Sequence, residues 1–511
     1  MSRIHDVWKA FARGAVRVLF DRAPVASGHG TPPHVVVLRW DAKLGDAIVS
    51  SPFYREIRGL AGVRVTVVTV AALAAMHERD FGADCVIVTG ARPGLADLMR
   101  VCRQLRQAGP VDAVVHLVGR IPPREIVFIH CLQAARVYSL DASLRLVTHR
   151  SDETCRETDT GDSWARRFGD HYLDVLRSLG VPAPQAGYIV PMSASERAGA
   201  PTIDILFNPF GSRADKSLSA AKAAEVLRAL ADTYPHAKIG VLSSPATRAA
   251  ASLLARQLGR GNAFALNLID TPGQAAAAVN VARAVVSVDT AIVHMAVGLG
   301  RRLVAIYADP GAVPNPWLPP VACEHRIVLS RHDTAQYART GIKDMNCFSA
   351  KEIVDAMRSL EEANAIVVKG RIGRGLGVAN GTLARQLPMI ESDFPDVSAC
   401  FRGTLNVTLA RPLWVTRPDH RTPPLAWTPS GRTREVFDLL RVELALIESG
   451  RRFVAWLYVA HGSPHRLTPD VHELIAPKIE LNGETCCALT IRAGCVGFTA
   501  PTGSETAQAA H

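Results

Sequence analysis

Two doubly wound α/β domains in tandem, followed by a smaller β-rich domain, are what the 511-residue sequence predicts. Three observations carry that expectation. Short segments between Val35 and Pro310 are apolar throughout rather than alternating, the pattern of strands covered on both faces in a parallel sheet. Segments rich in Ala, Leu and Arg, with helical character, separate them. Beyond residue 364 the alternation of strand and helix stops, and short strands and turns take over.

The elements follow in order. After the glycine- and proline-rich stretch ASGHGTPPH, which reads as a linker, VVVLRW is a buried strand. VRVTVVTV (63–70), CVIVTG (85–90), DAVVHLVG (112–119) and ARVYSL (135–140) complete a first domain over 31–185. GDHYLDVLRSLGVPAP reads as a helix stopped by Gly180 and Pro182. DILFNPFGS, HAKIGVLSS, NAFALNL, RAVVSVDT and RRLVAIYADP supply the strands of a second domain over 186–362. The third, over 365–498, reads as a small β-barrel or α+β unit with one helix at 433–447, and the polar tail 499–511 as disordered. Neither first strand is followed by a GxGxxG fingerprint, which disfavours a dehydrogenase and points to the twin-domain architecture of nucleotide-sugar transferases.

Composition narrows the class. With 48% hydrophobic and 21% charged residues the chain is an ordinary globular protein, and it contains no apolar run long enough to span a membrane. Its ten cysteines are scattered without a CxxC pair, which signals neither a zinc site nor a disulfide framework and fits a reducing cytoplasm. A net charge of +11 favours an anionic partner. Within residues 3–22, Ile4, Val7, Trp8, Phe11, Ala15, Val18 and Leu19 share one helical face, and Lys9, Arg13 and Arg17 form a basic row opposite. That is the layout of a helix on an anionic membrane surface, or of a terminal helix docked on its own protein.

Three stretches carry candidate chemistry. RWDAKLGDAIVSSPF (39–53) follows a strand, and in an open α/β sheet ligands bind beyond the carboxyl ends of the strands. Gly45 permits close backbone approach, and Asp46 is either the cap of the following helix or a general base. In NPFGSRADKSLSAAKAAEVL, Gly211 and Ser212 form a tight turn, Lys216 stands ready for phosphate, and Ser217 or Ser219 caps a helix. In VVSVDTAIVHMAVGLG, Asp289 and Thr290 open a helix with His294 on the same face, as a ligand group or as a core histidine.

Together these stretches resemble glycosyltransferase family 9, the heptosyltransferases, over about residues 33–345. Arg39, Asp41, Gly45, Asp46, Ser51 and Pro52 match its first motif; Pro209, Gly211, Ser212 and Lys216 its second; Ser287, Asp289, Thr290 and His294 its third. The resemblance implies a GT-B fold and metal-independent, inverting transfer, without a cofactor, from a nucleotide-activated sugar such as ADP-heptose to a lipid-linked saccharide. It implies no nucleic-acid partner and a cytoplasmic enzyme peripheral to the inner membrane. Asp46 would be the base, Lys216 would bind the donor phosphates, Asp289 the donor sugar, and Gly211, Ser212, Thr290 and His294 would lie beside them. Arg39, Asp41, Lys43 and Gly45 fall on the acceptor side. Ala291, Leu218, Ser219 and Arg302 depart from the family pattern around the donor site.

GRIGRGLGVANG, FRGTLNVTL and HGSPHRLTPDVHELIAPKIEL resemble, in that order, the CTP-dependent riboflavin kinases. That resemblance implies a cradle-like β-barrel binding CTP along Gly373, Gly375 and Gly377, with magnesium on Thr404 and Asn406 and Glu473 at the acidic position. The segment 412–430 departs from the family. The alternative to a transferase is therefore a small-molecule kinase in the third domain.

Overall fold

The structure is a computed structural model. It describes residues 13–24, 34–150, 167–309, 315–320, 323–331, 335, 339–340, 342, 344–363, 365–373, 379–416, 418–427, 434–461, 468 and 470–498. The chain divides into two compact units, Met1–Ala356 and Met357–His511.

The first unit holds two parallel six-stranded sheets. In the first, β1 (His34–Arg39), β2 (Arg64–Thr69), β3 (Cys85–Val88), β4 (Ala113–Val115), β5 (Arg136–Ser139) and β6 (His149–Arg150) lie in the order β3-β2-β1-β4-β5-β6. The second comprises β7 (Ile205–Asn208), β8 (Ile239–Leu242), β9 (Ala263–Leu266), β10 (Ala284–Val288), β11 (Arg302–Ala308) and β12 (His325–Ser330), in the order β12-β11-β10-β7-β8-β9. Both orders reverse beside the first strand, between β1 and β4 and between β7 and β10. Those are the switch points where crevices open in doubly wound sheets. β1 is buried at all six positions, with His34 and Arg39 flanking four apolar residues, as a strand covered on both faces requires.

Helix Leu44–Ile57 belongs to both halves of this unit. Ala47, Phe53 and Ile57 join the core around the first sheet, whereas Ile48 joins the core around the second. Ser51, placed in a motif by sequence, turns out to hold the connecting strap: its hydroxyl accepts from the Ile189 amide at 2.7 Å. Arg55 donates to the carbonyls of Gly187 and Gln185 along the same strap. Helix Phe168–Leu179 ends at Gly180, whose φ of 106° supplies the left-handed stop.

The described part of the terminal helix, 13–20, corrects the expected layout. Arg13 is buried and pairs with Asp141 at 2.7 Å, and exposed Arg17 donates to the Ser143 carbonyl, so the two described members of the basic row are tied to the protein. Val16 and Phe20 touch the core, while Val18 and Leu19 point outward, 82% and 58% exposed. The reason is that buried Asp141 offers an ionic anchor that no apolar contact supplies. Residues 3–12, the linker at 25–33 and the tail 499–511 lie outside the described residues. β6 and β12, both edge strands, were not visible as apolar runs, because edges carry polar residues such as His149, Arg150, His325 and Arg326.

The second unit is antiparallel. β13 (Ala365–Gly373), β14 (Thr404–Leu409), β17 (Val436–Leu446), β18 (Arg452–His461), β19 (Val471–Ile475) and β20 (Cys486–Arg492) pair in the order β17-β18-β19-β14-β13-β20, and β20 pairs back to β17. The short β16 (His420–Arg421) adds to β17, and β15 (Leu413–Val415) pairs with β21 (Val496–Phe498). The helix expected at 433–447 is instead strand β17. Its apolar residues fit a helical period over a few positions, but a turn closed by Gly450 (φ 68°) folds β18 back along it, and ten register pairs decide the outcome. A helix not anticipated, Ala379–Asp393, packs Leu383, Leu387 and Ile390 against Phe437, Leu439 and Trp456.

Candidate functional site

Three loops at the two switch points build the site in the first unit. After β1 the chain turns through Ala42, a non-glycine residue held at φ 54°, in the left-handed region. Such a conformation persists only where the surroundings enforce it. Helix Leu44–Ile57 then starts, with Lys43 at its N-cap and no side-chain cap. Asp46 is the third helical residue and not the cap, which corrects one of its two sequence readings; its charge still favours the first turn through the helix dipole.

Asp46 is held among charges. Its carboxylate lies 4.0 Å from Arg39 Nη2 and 3.7 Å from Lys43 Nζ, and its side chain is 15% exposed. Burial above all, reinforced by the neighbouring Asp41 carboxylate and opposed by Arg39 and Lys43, pushes its pKa up to about 6. Arg39 is itself buried, 3.2 Å from Asp41, and donates to the Tyr172 hydroxyl at 3.4 Å. Asp41 is therefore the nearer partner of the guanidinium, which leaves the weaker contact to Asp46.

From the second sheet, Asn208 ends β7 and donates to Ser287 Oγ at 3.0 Å and Thr290 Oγ1 at 3.1 Å. These bonds tie the β7 and β10 loops together. Gly211 is needed for room, since a Cβ there would stand 2.4 Å from the Lys216 carbonyl oxygen. Its amide donates to Ser217 Oγ, which closes the loop and delivers Lys216 on a single 3-10 turn, Ala214–Lys216. The Lys216 ammonium lies 3.6 Å from Asp289 Oδ2. Thr290 caps helix Ala291–Gly298 by accepting from the Ile292 amide, and Ser219 caps helix Ala220–Thr233 by accepting from the Lys222 amide. His294 is buried and pushed down to about 4, so it is a neutral imidazole.

Gly45 brings the halves together. A Cβ there would be 3.0 Å from His294 Cδ2 and 3.3 Å from Ala291 Cα. Helix Leu44–Ile57 thus runs backbone-close to helix Ala291–Gly298, and a cavity of about 630 Å³ opens beside the contact. Its volume suits a small-molecule ligand. Lys43, Gly45, Asp46, Gly211, Ser212, Lys216, Asp289, Thr290 and His294 all line it. Arg39 and Asp41 do not; they stand behind Asp46. The sequence reading missed Asn208, Phe210, Ser243, Ser244, Thr271 and Trp317, which also line the wall. For Asn208, Ser243 and Ser244 the signal was available, because polar residues at or directly after the ends of buried strands mark the ligand edge of such a sheet; Phe210, Thr271 and Trp317 carry no such local mark.

The departures from the expected motifs have structural roles. Leu218 is buried, Ser219 is the helix cap, and Arg302 lies 3.6 Å from Glu324 at the start of β11. Ala291 contributes the backbone against which Gly45 packs.

In the second unit Thr404 Oγ1 donates to Glu473 Oε1 at 2.9 Å, and Asn406 faces Glu473 across the β14–β19 pair. Asn406 Oδ1 is buried and has no hydrogen-bond partner among the described residues. Gly373 ends β13, whereas Gly375 and Gly377 lie outside the described residues.

The sequence pattern of glycosyltransferase family 9 (heptosyltransferase) matches residues 178–344. No curated protein matches the chain. Among solved structures, a glycosyl transferase family 9 protein from Veillonella parvula is 19% identical, with a TM-score of 0.50, over 66% of this chain and 99% of that one. The ADP-heptose LPS heptosyltransferase II of E. coli is 15% identical (TM-score 0.47, 64% of this chain and 98% of that one), and E. coli heptosyltransferase WaaC with ADP is 18% identical (0.46, 64% and 99%). The Veillonella likeness carries the fold, a GT-B-like pair of parallel α/β sheets. The matched residues hold a glycosyltransferase domain, and the chain is an enzyme of that class.

Proposed function

We propose that the enzyme transfers a sugar, a heptose or a relative of it, from a nucleotide-diphosphate donor to a hydroxyl of a lipid-linked saccharide, with inversion and without a metal in the transfer step. The observation that carries this reading is a largely buried carboxylate, Asp46, lining the same cavity as the Lys216–Asp289 pair. With its pKa near 6, Asp46 is ionised at neutral pH yet basic enough to accept a proton as the acceptor oxygen attacks. The new bond forms at the anomeric carbon, the bond from that carbon to the diphosphate oxygen breaks, and the proton ends on Asp46. Lys216 and the N-terminal end of helix Ala291–Gly298 stabilise the departing diphosphate. Asp289 holds Lys216 until phosphate arrives and then faces the sugar hydroxyls. Arg39 and Asp41 orient Asp46 from behind, and exposed Lys43 meets the acceptor.

The acceptor's lipid fixes the place of work at the cytoplasmic face of a membrane, reached through the terminal helix. No helix among the described residues is long and apolar enough to cross the bilayer. Transfer from a panel of nucleotide sugars, ADP-heptose among them, tests the reading. We expect Asp46→Asn to lower turnover by roughly 10²–10⁴-fold, the usual worth of a general base. An Asp46→Asn enzyme within threefold of wild type would sink it.

One observation favours a second activity. The orphaned Asn406 oxygen beside Thr404 and Glu473 fits a divalent ion, so those three residues would hold magnesium and Gly373 would lie toward the CTP phosphates. Such an ion would supply positive charge to the phosphates. CTP-dependent phosphorylation of riboflavin, lost in Asn406→Leu, is the matching assay.

A further inference from the structure

A second cavity, of about 480 Å³, lies at the carboxyl ends of β4 and β5 and is roofed by the terminal helix 13–20. Three arginines line it, Arg13, Arg17 and Arg120, against one carboxylate, Asp141. That carboxylate is already consumed. It accepts from the Ile121 amide at 2.8 Å, from the Ser143 amide and hydroxyl at 3.2 and 2.6 Å, and from Arg13 at 2.7 Å. These donors hold its pKa below the ordinary value, although burial opposes them. Arg17 donates to the Ser143 carbonyl at 2.5 Å, with its Nε 3.6 Å from Asp21. Arg120 is exposed at the rim, and among the described residues it makes no hydrogen bond or ion pair. The cavity therefore keeps positive charge that the described residues do not neutralise.

The same helix exposes two apolar residues. Val18, four positions after Gly14, lies on the flank of the helix next to the opening, and Leu19 lies on its outward face. Both are largely exposed. An apolar contact beside a cationic socket matches one surface, a bilayer with anionic head groups, where side chains enter the acyl boundary and phosphate sits just above it.

We propose that this cavity seats the phosphate of an anionic phospholipid, with Arg120 and Arg17 as its ligands and Val18 and Leu19 dipping into the interface. Arg13 builds the socket by tying the helix to Asp141. The proposal rests on the membrane-facing reading above and assigns it a specific head-group contact. Guanidinium forks suit phosphate oxygens in a way that a diffuse basic patch does not.

The test is co-sedimentation of the full chain with vesicles of phosphatidylcholine alone or with 30% phosphatidylglycerol, an experimental choice of roughly physiological surface charge. Wild type should bind the anionic vesicles at least tenfold better. Arg120→Glu should remove most of that preference, Arg120→Lys should keep part of it, and Val18→Asp should weaken binding to both vesicles. Donor hydrolysis, unchanged in all three variants, reports that the fold is intact. Arg120→Glu binding like wild type would overturn the head-group seat while the membrane reading stands; absence of wild-type binding would overturn both. Inorganic phosphate that protects the protein from thermal unfolding, without any vesicle binding, would assign the socket to a soluble phosphate and overturn the lipid proposal.

Discussion

Asp46 sits 4.0 Å from the guanidinium of Arg39 and 3.7 Å from the ammonium of Lys43, and still its pKa stands at about 6. Two cations would by themselves push a carboxyl below its ordinary range. Burial and Asp41 outweigh them. Two opposing influences thus place the group where a base for a sugar hydroxyl is useful.

The first prediction is an acid limb. Transfer needs ionised Asp46, so kcat/KM should fall tenfold per pH unit below about pH 6. Lys43 lowers the pKa, so Lys43→Met should move the limb upward; Asp41 raises it, so Asp41→Asn should move the limb downward. A pH series on the three enzymes checks both signs.

The same pKa has a stability consequence. Native Asp46 keeps its proton up to about pH 6, whereas the unfolded chain loses it near 3.8, so the native state binds more protons between those values. Stability therefore falls as pH rises through that window and stays lower above it, by about 2–3 kcal/mol at 1.36 kcal/mol per unit. Asp46→Asn cannot ionise and should melt higher than wild type at pH 8 and equally at pH 4, as measured by calorimetry.

Gly45→Ala tests the helix crossing. Its methyl would press on His294 and on the Ala291 backbone, and overpacking of this kind costs about 1–3 kcal/mol. Lower melting temperature together with reduced transfer is expected, while His294→Ala in the same background should recover part of the stability.

Lys216 and Asp289 should separate in kinetics. Lys216→Ala removes a charged contact to phosphate, worth about 1.5–3 kcal/mol, and should weaken donor binding roughly 10–100-fold. Asp289→Asn leaves the ammonium in place and frees it from its 3.6 Å partner, so nucleoside-diphosphate affinity should hold or rise while transfer falls. Titration of the free nucleotide beside turnover assays distinguishes the two.

Much of this was legible in one dimension. Runs such as VVVLR and AVVSV are mostly apolar and buried at every position because both sheet faces are covered, and the loops after them necessarily lie at one sheet edge. Gly180 and Ser219 mark helix ends by local backbone chemistry, which needs no distant partner. Where a distant partner decides, local pattern misled. VFDLLRVELAL became a strand through β18, and Arg13 turned inward to Asp141, 128 residues away.

The sequence by itself determined the two parallel sheets, their order of loops and the kinds of group at their ends, because hydrophobic burial and turn chemistry act over a few residues. Only the tertiary structure decided what Asp46 is. Its neighbours in sequence supply cations and a helix terminus, which alone would make it an ordinary acidic residue of a first turn. Burial within the packed first unit raises its pKa, and the close approach of Gly45 to His294 and Ala291 brings it into one cavity with Lys216; desolvation of that kind is a property of packed surfaces that no local stretch contains.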